Sequence, residues 1–149
     1  MLLDEALAVA LECNVGFHLM DRIYGTKINA ARDPGAALAV LEDAESSVQG
    51  PLETCPGCRI TLAVPAAIAS ARGGDLARMK EWEPAVERLA NVVMRLPAWH
   101  AALEEVRGHS ALATGESASG HFSAAADGYG AAGQPLDQAR CAALAAVSP

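Results

Sequence analysis

The chain has 149 residues, a length typical of one domain, and 52% of its residues are hydrophobic while only 4% are aromatic. Its formal net charge is −7 and its lysines and arginines occur singly, which argues against direct nucleic-acid binding. No stretch approaches the roughly 18 uncharged apolar residues of a spanning helix, and the N-terminus lacks the basic start of a signal peptide. We therefore expect a cytoplasmic protein outside the membrane.

Helical periodicity is the main signal in the first third of the chain. It predicts a first helix over about residues 2–13 and a second over about residues 16–31. Asp33 and Pro34 are typical of an N-cap and a first helical position, so a third helix is expected from there to about Ser47. Residues 48–54 are expected to form a loop.

Five further helix-starting positions follow that loop. Pro56 can open a fourth helix that ends at Gly73 and Gly74, and Asp75 can cap a fifth whose apolar stripe continues to Val93. Pro84 should kink or restart that fifth helix. The remaining helices are expected to open at Pro97, to cover about residues 117–131, and to open at Pro135.

The helix breaks recur along the chain. Breaks after Ala31, Ala71 and Ala113 lie 40 and 42 residues apart, and an acidic capping residue follows each one. Recurrence at this spacing favours stacked αα-hairpins, because a single hairpin cannot cover its own apolar face. We therefore predict an all-α fold, with residues 1–149 as a single tetratricopeptide-like short solenoid of about eight helices. A compact helical bundle is the alternative.

An ordered series of small-residue and capping segments runs through most of the chain. Its members are Cys55-Pro-Gly-Cys58, Leu62-Ala-Val-Pro-Ala-Ala, Gly74-Asp75-Leu76, Ala98-Trp99, Ala132-Gly-Gln-Pro-Leu-Asp137 and Ala139-Arg-Cys141, preceded by His18, Arg22-Ile-Tyr-Gly25 and Asp33-Pro34. The series resembles the tetratricopeptide-like C-terminal region of large actinobacterial transcriptional regulators of the LuxR and ATPase-coupled type. The resemblance implies a sensory or protein-interaction module of a bacterial regulatory system. The chain itself has no helix-turn-helix segment and no phosphate-binding loop.

Cys55 and Cys58 form the one spacing that suggests chemistry. Both are predicted at a helix start, where free N–H groups and the helix dipole favour a thiolate. In a stack of hairpins alternate helices run parallel, which would place His18 beside this pair. Cys13, on the turn before His18, could complete a Cys₃His site of the kind that zinc prefers.

Two other interpretations of the cysteines remain open. Thiol redox chemistry fits the spacing, but the all-α alkylhydroperoxidase-D family carries a histidine where this chain has Leu62. Cysteines are also common as small packing residues, and Cys141 is expected to be one.

The large aromatic side chains suggest a binding surface. Most should lie in the core, but Trp99 and Tyr24 are candidates to contact a protein or small-molecule ligand in a helical groove. Glu104, Glu105 and His109 are expected on exposed, polar helix faces. The predicted function is a non-catalytic protein-interaction or ligand-sensing module rather than an enzyme. The alternative is a zinc-binding or thiol-redox-responsive module that uses Cys55 and Cys58.

Overall fold

The all-α prediction is confirmed by the computed structural model, which describes residues 2–13, 16–47 and 55–149. These described residues form eight α-helices and no strand. The helices are α1 (Leu2–Glu12), α2 (Phe17–Asn29), α3 (Pro34–Ser47), α4 (Ile60–Arg72), α5 (Leu76–Arg88), α6 (Pro97–Thr114), α7 (Ser119–Ala131) and α8 (Pro135–Val147). No described helix has the length and apolar character needed to cross a bilayer. The predicted loop over residues 48–54 lies outside the described residues.

Three helix boundaries follow local capping chemistry. Oδ1 of Asp33 accepts a hydrogen bond from the Ala36 N–H at 2.8 Å, and Oδ1 of Asp75 accepts one from the Arg78 N–H at 3.0 Å. Helix α6 ends at Gly115, whose φ of +77° is a left-handed conformation that glycine adopts without strain. The sequence therefore specifies these boundaries residue by residue.

The segment after Pro84 differs from the prediction. Helix α5 continues through Pro84 to Arg88, so the predicted restart at Pro84 is wrong, and a π-helical segment, Leu89–Met94, follows directly. A π turn holds more residues than an α turn, so it rotates the following side chains about the helix axis. Val93, predicted to face inward with the α5 stripe, is consequently 45% exposed.

Helices that are two apart in the chain pack on each other in the first part of the molecule. Helix α2 packs on α4 and α4 on α6, while α3 and α5 pack beside the helices that precede and follow them. Helices α6, α7 and α8 pack in chain order. This order of contacts fits stacked αα-hairpins, and it also fits a compact helical bundle.

Helix α4 is the centre of the molecule, because ten of its 13 residues are buried. The core around it contains fully buried apolar side chains of α2, α3, α5 and α6, which are Tyr24, Leu41, Val86 and Val106. A Cβ atom at Gly25 of α2 would overlap the Thr61 carbonyl of α4. The backbones of α2 and α4 therefore approach as closely as a glycine permits.

Candidate functional site

A groove of about 1040 Å³ runs across the face formed by the even-numbered helices. Its floor is the apolar side of α4, including Val64, Pro65 and Ile68, and its walls come from α2, α6 and α8. The volume is at the upper end of the range of about 300–1,000 Å³ that is usual for small-molecule pockets. A groove of this size can accommodate a peptide-sized ligand.

The predicted partner residues lie in different places. Trp99 lines the groove and is half-buried against the core, so it is available to a ligand. Tyr24 is only 1% exposed, and its hydroxyl donates a hydrogen bond to Ser47 Oγ at 2.9 Å. A direct contact between Tyr24 and a partner is therefore a wrong prediction. Its helix face points toward α3 rather than toward the groove.

Three arginines line the groove, Arg22, Arg72 and Arg140, and the last two have different surroundings. Arg140 donates through Nε and Nη2 to the two carboxylate oxygens of Glu105, at 2.9 and 2.8 Å, and through Nη1 to Asp137 at 2.6 Å. Arg72, at the end of α4, is exposed and makes no ion pair within residues 2–13, 16–47 and 55–149. Arg72 is therefore a cation in the groove that no described carboxylate neutralises.

Glu105 and His109 lie on the buried side of α6, so their predicted exposure is wrong. Glu105 is 2% exposed, and the Tyr129 hydroxyl donates to its Oε2 at 2.9 Å. His109 is 8% exposed, and burial lowers its pKa to about 4. Ala101, Glu105 and His109 are spaced four residues apart, and this spacing on one helix face is the sequence signal for the arrangement.

A cluster of two thiols and one imidazole lies where α2 and α4 begin. Cys55 and Cys58 occupy the turn before α4, in which the N–H groups of Cys58 and Arg59 donate to the Cys55 carbonyl at 2.9 and 3.0 Å. His18 projects from the first turn of α2. One ring nitrogen of His18 and the Sγ atoms of Cys55 and Cys58 all lie within 4.8 Å of one another. The structure thus brings together three of the four predicted ligands.

The two thiols of the cluster differ in acidity. A hydrogen bond from the Cys58 thiol lowers the pKa of the Cys55 thiol to about 7. Hydrogen bonds from the Cys58 backbone, His18 and Gly57 contribute to this shift. Burial raises the pKa of Cys58, and the Cys55 thiolate raises it further, while the nearby Arg22 guanidinium opposes both effects. Cys55 is therefore the thiol that ionises first.

The other two cysteines lie outside this cluster. Cys13 is exposed in the bend after α1, and its thiol does not belong to the group that includes His18. The structure therefore does not bring Cys13, the predicted fourth ligand, together with the other three. Cys141 is fully buried, as predicted, and burial raises its pKa to about 12. Cys141 is a packing residue of α8.

No family model, curated protein or solved structure matches the chain. The resemblance to regulator C-terminal regions therefore stays a prediction from the sequence.

Proposed function

We propose that the chain is a non-catalytic interaction module whose groove binds a short segment of a partner protein. In this segment, apolar residues alternate with residues that carry carboxylates. The observation that carries this proposal is the groove of about 1040 Å³, which combines an apolar floor with the exposed Arg72. A bacterial regulatory protein in the reducing cytoplasm is the setting that we propose. Support comes from the sequence resemblance and from the four free cysteines.

Charge supports an acidic ligand. The chain as a whole has a formal net charge of −7, so its average surface repels an anionic segment. Arg72 provides a local exception, and a planar guanidinium can bind a carboxylate through two parallel hydrogen bonds. Arg140, in contrast, is already held by Glu105 and Asp137. A ligand carboxylate is therefore expected at Arg72 rather than at Arg140.

Trp99 and the floor of α4 supply the apolar contacts. Trp99 is partly buried against the core, which holds its ring in place at the groove wall. Rigid aromatic side chains of this kind carry much of the binding energy in protein interfaces. Alternating apolar residues of an extended ligand would contact Trp99 and the Val64–Ile68 surface, while the residues between them face Arg72 or solvent.

The test uses two pooled libraries of fluorescein-labelled dodecapeptides. Both alternate leucine or phenylalanine with a charged residue, which is Asp or Glu in the first library and Lys or Arg in the second. Fluorescence anisotropy should show binding of the acidic library and at least tenfold weaker binding of the basic one. The preference should shrink as salt is raised, because salt screens exposed charges.

Three variants identify the surface that binds. Arg72→Ala and Trp99→Ala should each weaken binding of the acidic library about tenfold or more, as expected for interface anchors. Arg88→Ala, which removes an exposed arginine of α5 outside the groove, should leave binding unchanged. Equal binding of both libraries, or an equal loss in all three variants, would contradict the proposal.

A further inference from the structure

The geometry of the cysteine–histidine cluster matches the needs of a metal ion. Zinc binds thiolate sulfur at about 2.3 Å and imidazole nitrogen at about 2.0–2.1 Å, so tetrahedral ligand atoms lie roughly 3.5–3.8 Å apart. The three candidate atoms here all lie within 4.8 Å of one another. A movement of about 1 Å, by rotation of the cysteines about χ1 and of His18 about χ1 and χ2, is enough to close this difference.

The donor set is selective for the kind of metal. Two thiolates and one imidazole are soft and borderline ligands, which suit zinc and exclude calcium and magnesium, since those ions require oxygen. The backbone of Gly57 and Cys58 in this turn lowers the pKa of the Cys55 thiol and so favours its thiolate. Hydrogen bonds to a metal-bound thiolate stabilise its negative charge and fix its position.

We propose that His18, Cys55 and Cys58 bind one zinc ion, with water in the fourth coordination position. Binding forms two zinc–sulfur bonds and one zinc–nitrogen bond, releases all but one of the water molecules of the hydrated ion, and displaces to solvent the protons that the two thiols still carry. Among residues 2–13, 16–47 and 55–149, these three are the only group close enough together to do so. This site lies beside the proposed ligand groove, since Arg22 lines the groove and also neighbours Cys58, but neither proposal is argued from the other.

The placement of the ligands lets the ion join two helices. His18 belongs to the first turn of α2, and both cysteines belong to the turn before α4, so the ion joins the starts of two neighbouring helices. Zinc binds the folded chain more tightly than the unfolded chain, because only the folded chain brings the three ligands together. The ion therefore stabilises the packing of α2 on α4, which also forms one side of the groove.

Metal binding is measured first on the full chain, purified under reducing conditions and stripped with a chelator. Cobalt(II) is titrated as a spectroscopic probe and then displaced with zinc. One equivalent per chain, a thiolate-to-cobalt charge-transfer band and tetrahedral d–d bands are the expected results. Octahedral spectra without a thiolate band, or no saturable binding, would overturn the proposal.

Matched variants identify the ligands. Cys55→Ser, Cys58→Ser and His18→Gln should each weaken cobalt and zinc binding at least 100-fold. Cys13→Ser is the control, because it removes a cysteine of the same chain that lies outside the cluster, and it should bind as the unmodified chain does. Full binding by the Cys55→Ser and Cys58→Ser variants, or loss of binding in the control, would refute the assignment.

A second measurement needs no variant. The unmodified chain is alkylated with iodoacetamide with and without zinc, and the labelled peptides are counted by mass spectrometry. Zinc should protect Cys55 and Cys58 at least tenfold while the exposed Cys13 reacts equally in both samples. If zinc leaves the labelling of Cys55, Cys58 and Cys13 unchanged, the pair does not hold the ion. A Cys55–Cys58 disulfide that forms in air in the presence of zinc would show the same.

Discussion

The two ends of the helical stack are joined by different chemistry. At the C-terminal end, Glu105 of α6 receives hydrogen bonds from Tyr129 of α7 and Arg140 of α8, so three helices share one buried carboxylate. At the N-terminal end, the starts of α2 and α4 meet through His18 and two thiols. The chain's own charges complete the first junction, whereas we infer that the second is completed by a metal ion. The first junction therefore needs no bound ion, whereas the stability of the second is expected to depend on the metal.

A second polar contact supports the N-terminal junction. Arg59 Nη1 lies 2.9 Å from Oδ1 of the fully buried Asp21, and its guanidinium lies 4.9 Å from the centroid of the Trp82 ring. The other oxygen of Asp21 has no hydrogen-bond partner among the described residues. Burial accordingly raises the pKa of Asp21, against the effect of Arg59. This junction is less completely satisfied than the one around Glu105.

The largest expected effect comes from removing the buried carboxylate of the C-terminal junction. Glu105→Ala leaves the Tyr129 hydroxyl and the Arg140 guanidinium without their shared acceptor. Breaking a buried pair costs roughly 3–5 kcal/mol, and half-exposure of Arg140 favours the lower part of that range. Urea denaturation should show the loss. The control is Glu104→Ala at the neighbouring, partly exposed position, which should cost less than about 1 kcal/mol. Equal losses in the two variants would contradict the larger role of Glu105.

The close contact of α2 and α4 gives the next largest effect. Gly25→Ala would drive its Cβ into the Thr61 carbonyl, and the two helices must separate. We expect a loss of about 3 kcal/mol, the upper end for overpacking, together with weaker zinc binding. Gly120→Ala is the control, because nothing lies within 4 Å of a Cβ there. It should raise stability by about 0.5 kcal/mol through helix propensity. Thermal denaturation of both variants, with and without zinc, checks this.

The smallest of the three effects is a pH dependence at the C-terminal end. The pKa of the buried His109 is about 4, below its ordinary value of 6.5, so the unfolded chain binds a proton at a higher pH than the folded chain. The stability from neutral His109 is present above pH 6.5 and is lost as the pH falls toward 4.

Between pH 7 and pH 5 we expect His109 to account for a loss of about 2 kcal/mol. His109→Leu should remove this part of the pH dependence, while replacement of the exposed His100 by asparagine should not. Parallel stability curves for the His109→Leu variant and the unmodified chain would contradict the assignment.

Local signals predicted most of the helices, whereas side-chain environment required the structure. Asp33, Asp75 and Pro97 marked helix starts because capping depends on a few neighbouring residues. The π-helical segment after α5 has no comparable local signature, so the exposure of Val93 was missed. Glu105 and Glu104 are the same residue type; the spacing of Glu105 with Ala101 and His109 marks its helix face, but the contacts with Tyr129 and Arg140 that bury it required the structure.

The metal ligands show the same division. Hairpin stacking predicted that His18 would approach Cys55 and Cys58, because it depends only on the order and direction of helices. The position of Cys13 relative to this group could not be predicted in the same way, because it precedes α2 and does not belong to either helix start. The prediction that Tyr24 contacts a partner was wrong, because the rotation of α2 about its axis decides whether a side chain faces the groove or the core.

Hydrogen exchange of the reduced chain, with and without one equivalent of zinc, tests the difference between the two ends most directly. Zinc should slow exchange of the amides in α2 and in the first turns of α4, since local opening there breaks metal–ligand bonds. The amides of α6, α7 and α8 around Glu105 should exchange at nearly the same rate in both samples. Unchanged exchange in α2 and α4, or equal slowing throughout the chain, would contradict the view that a metal ion completes the N-terminal junction alone.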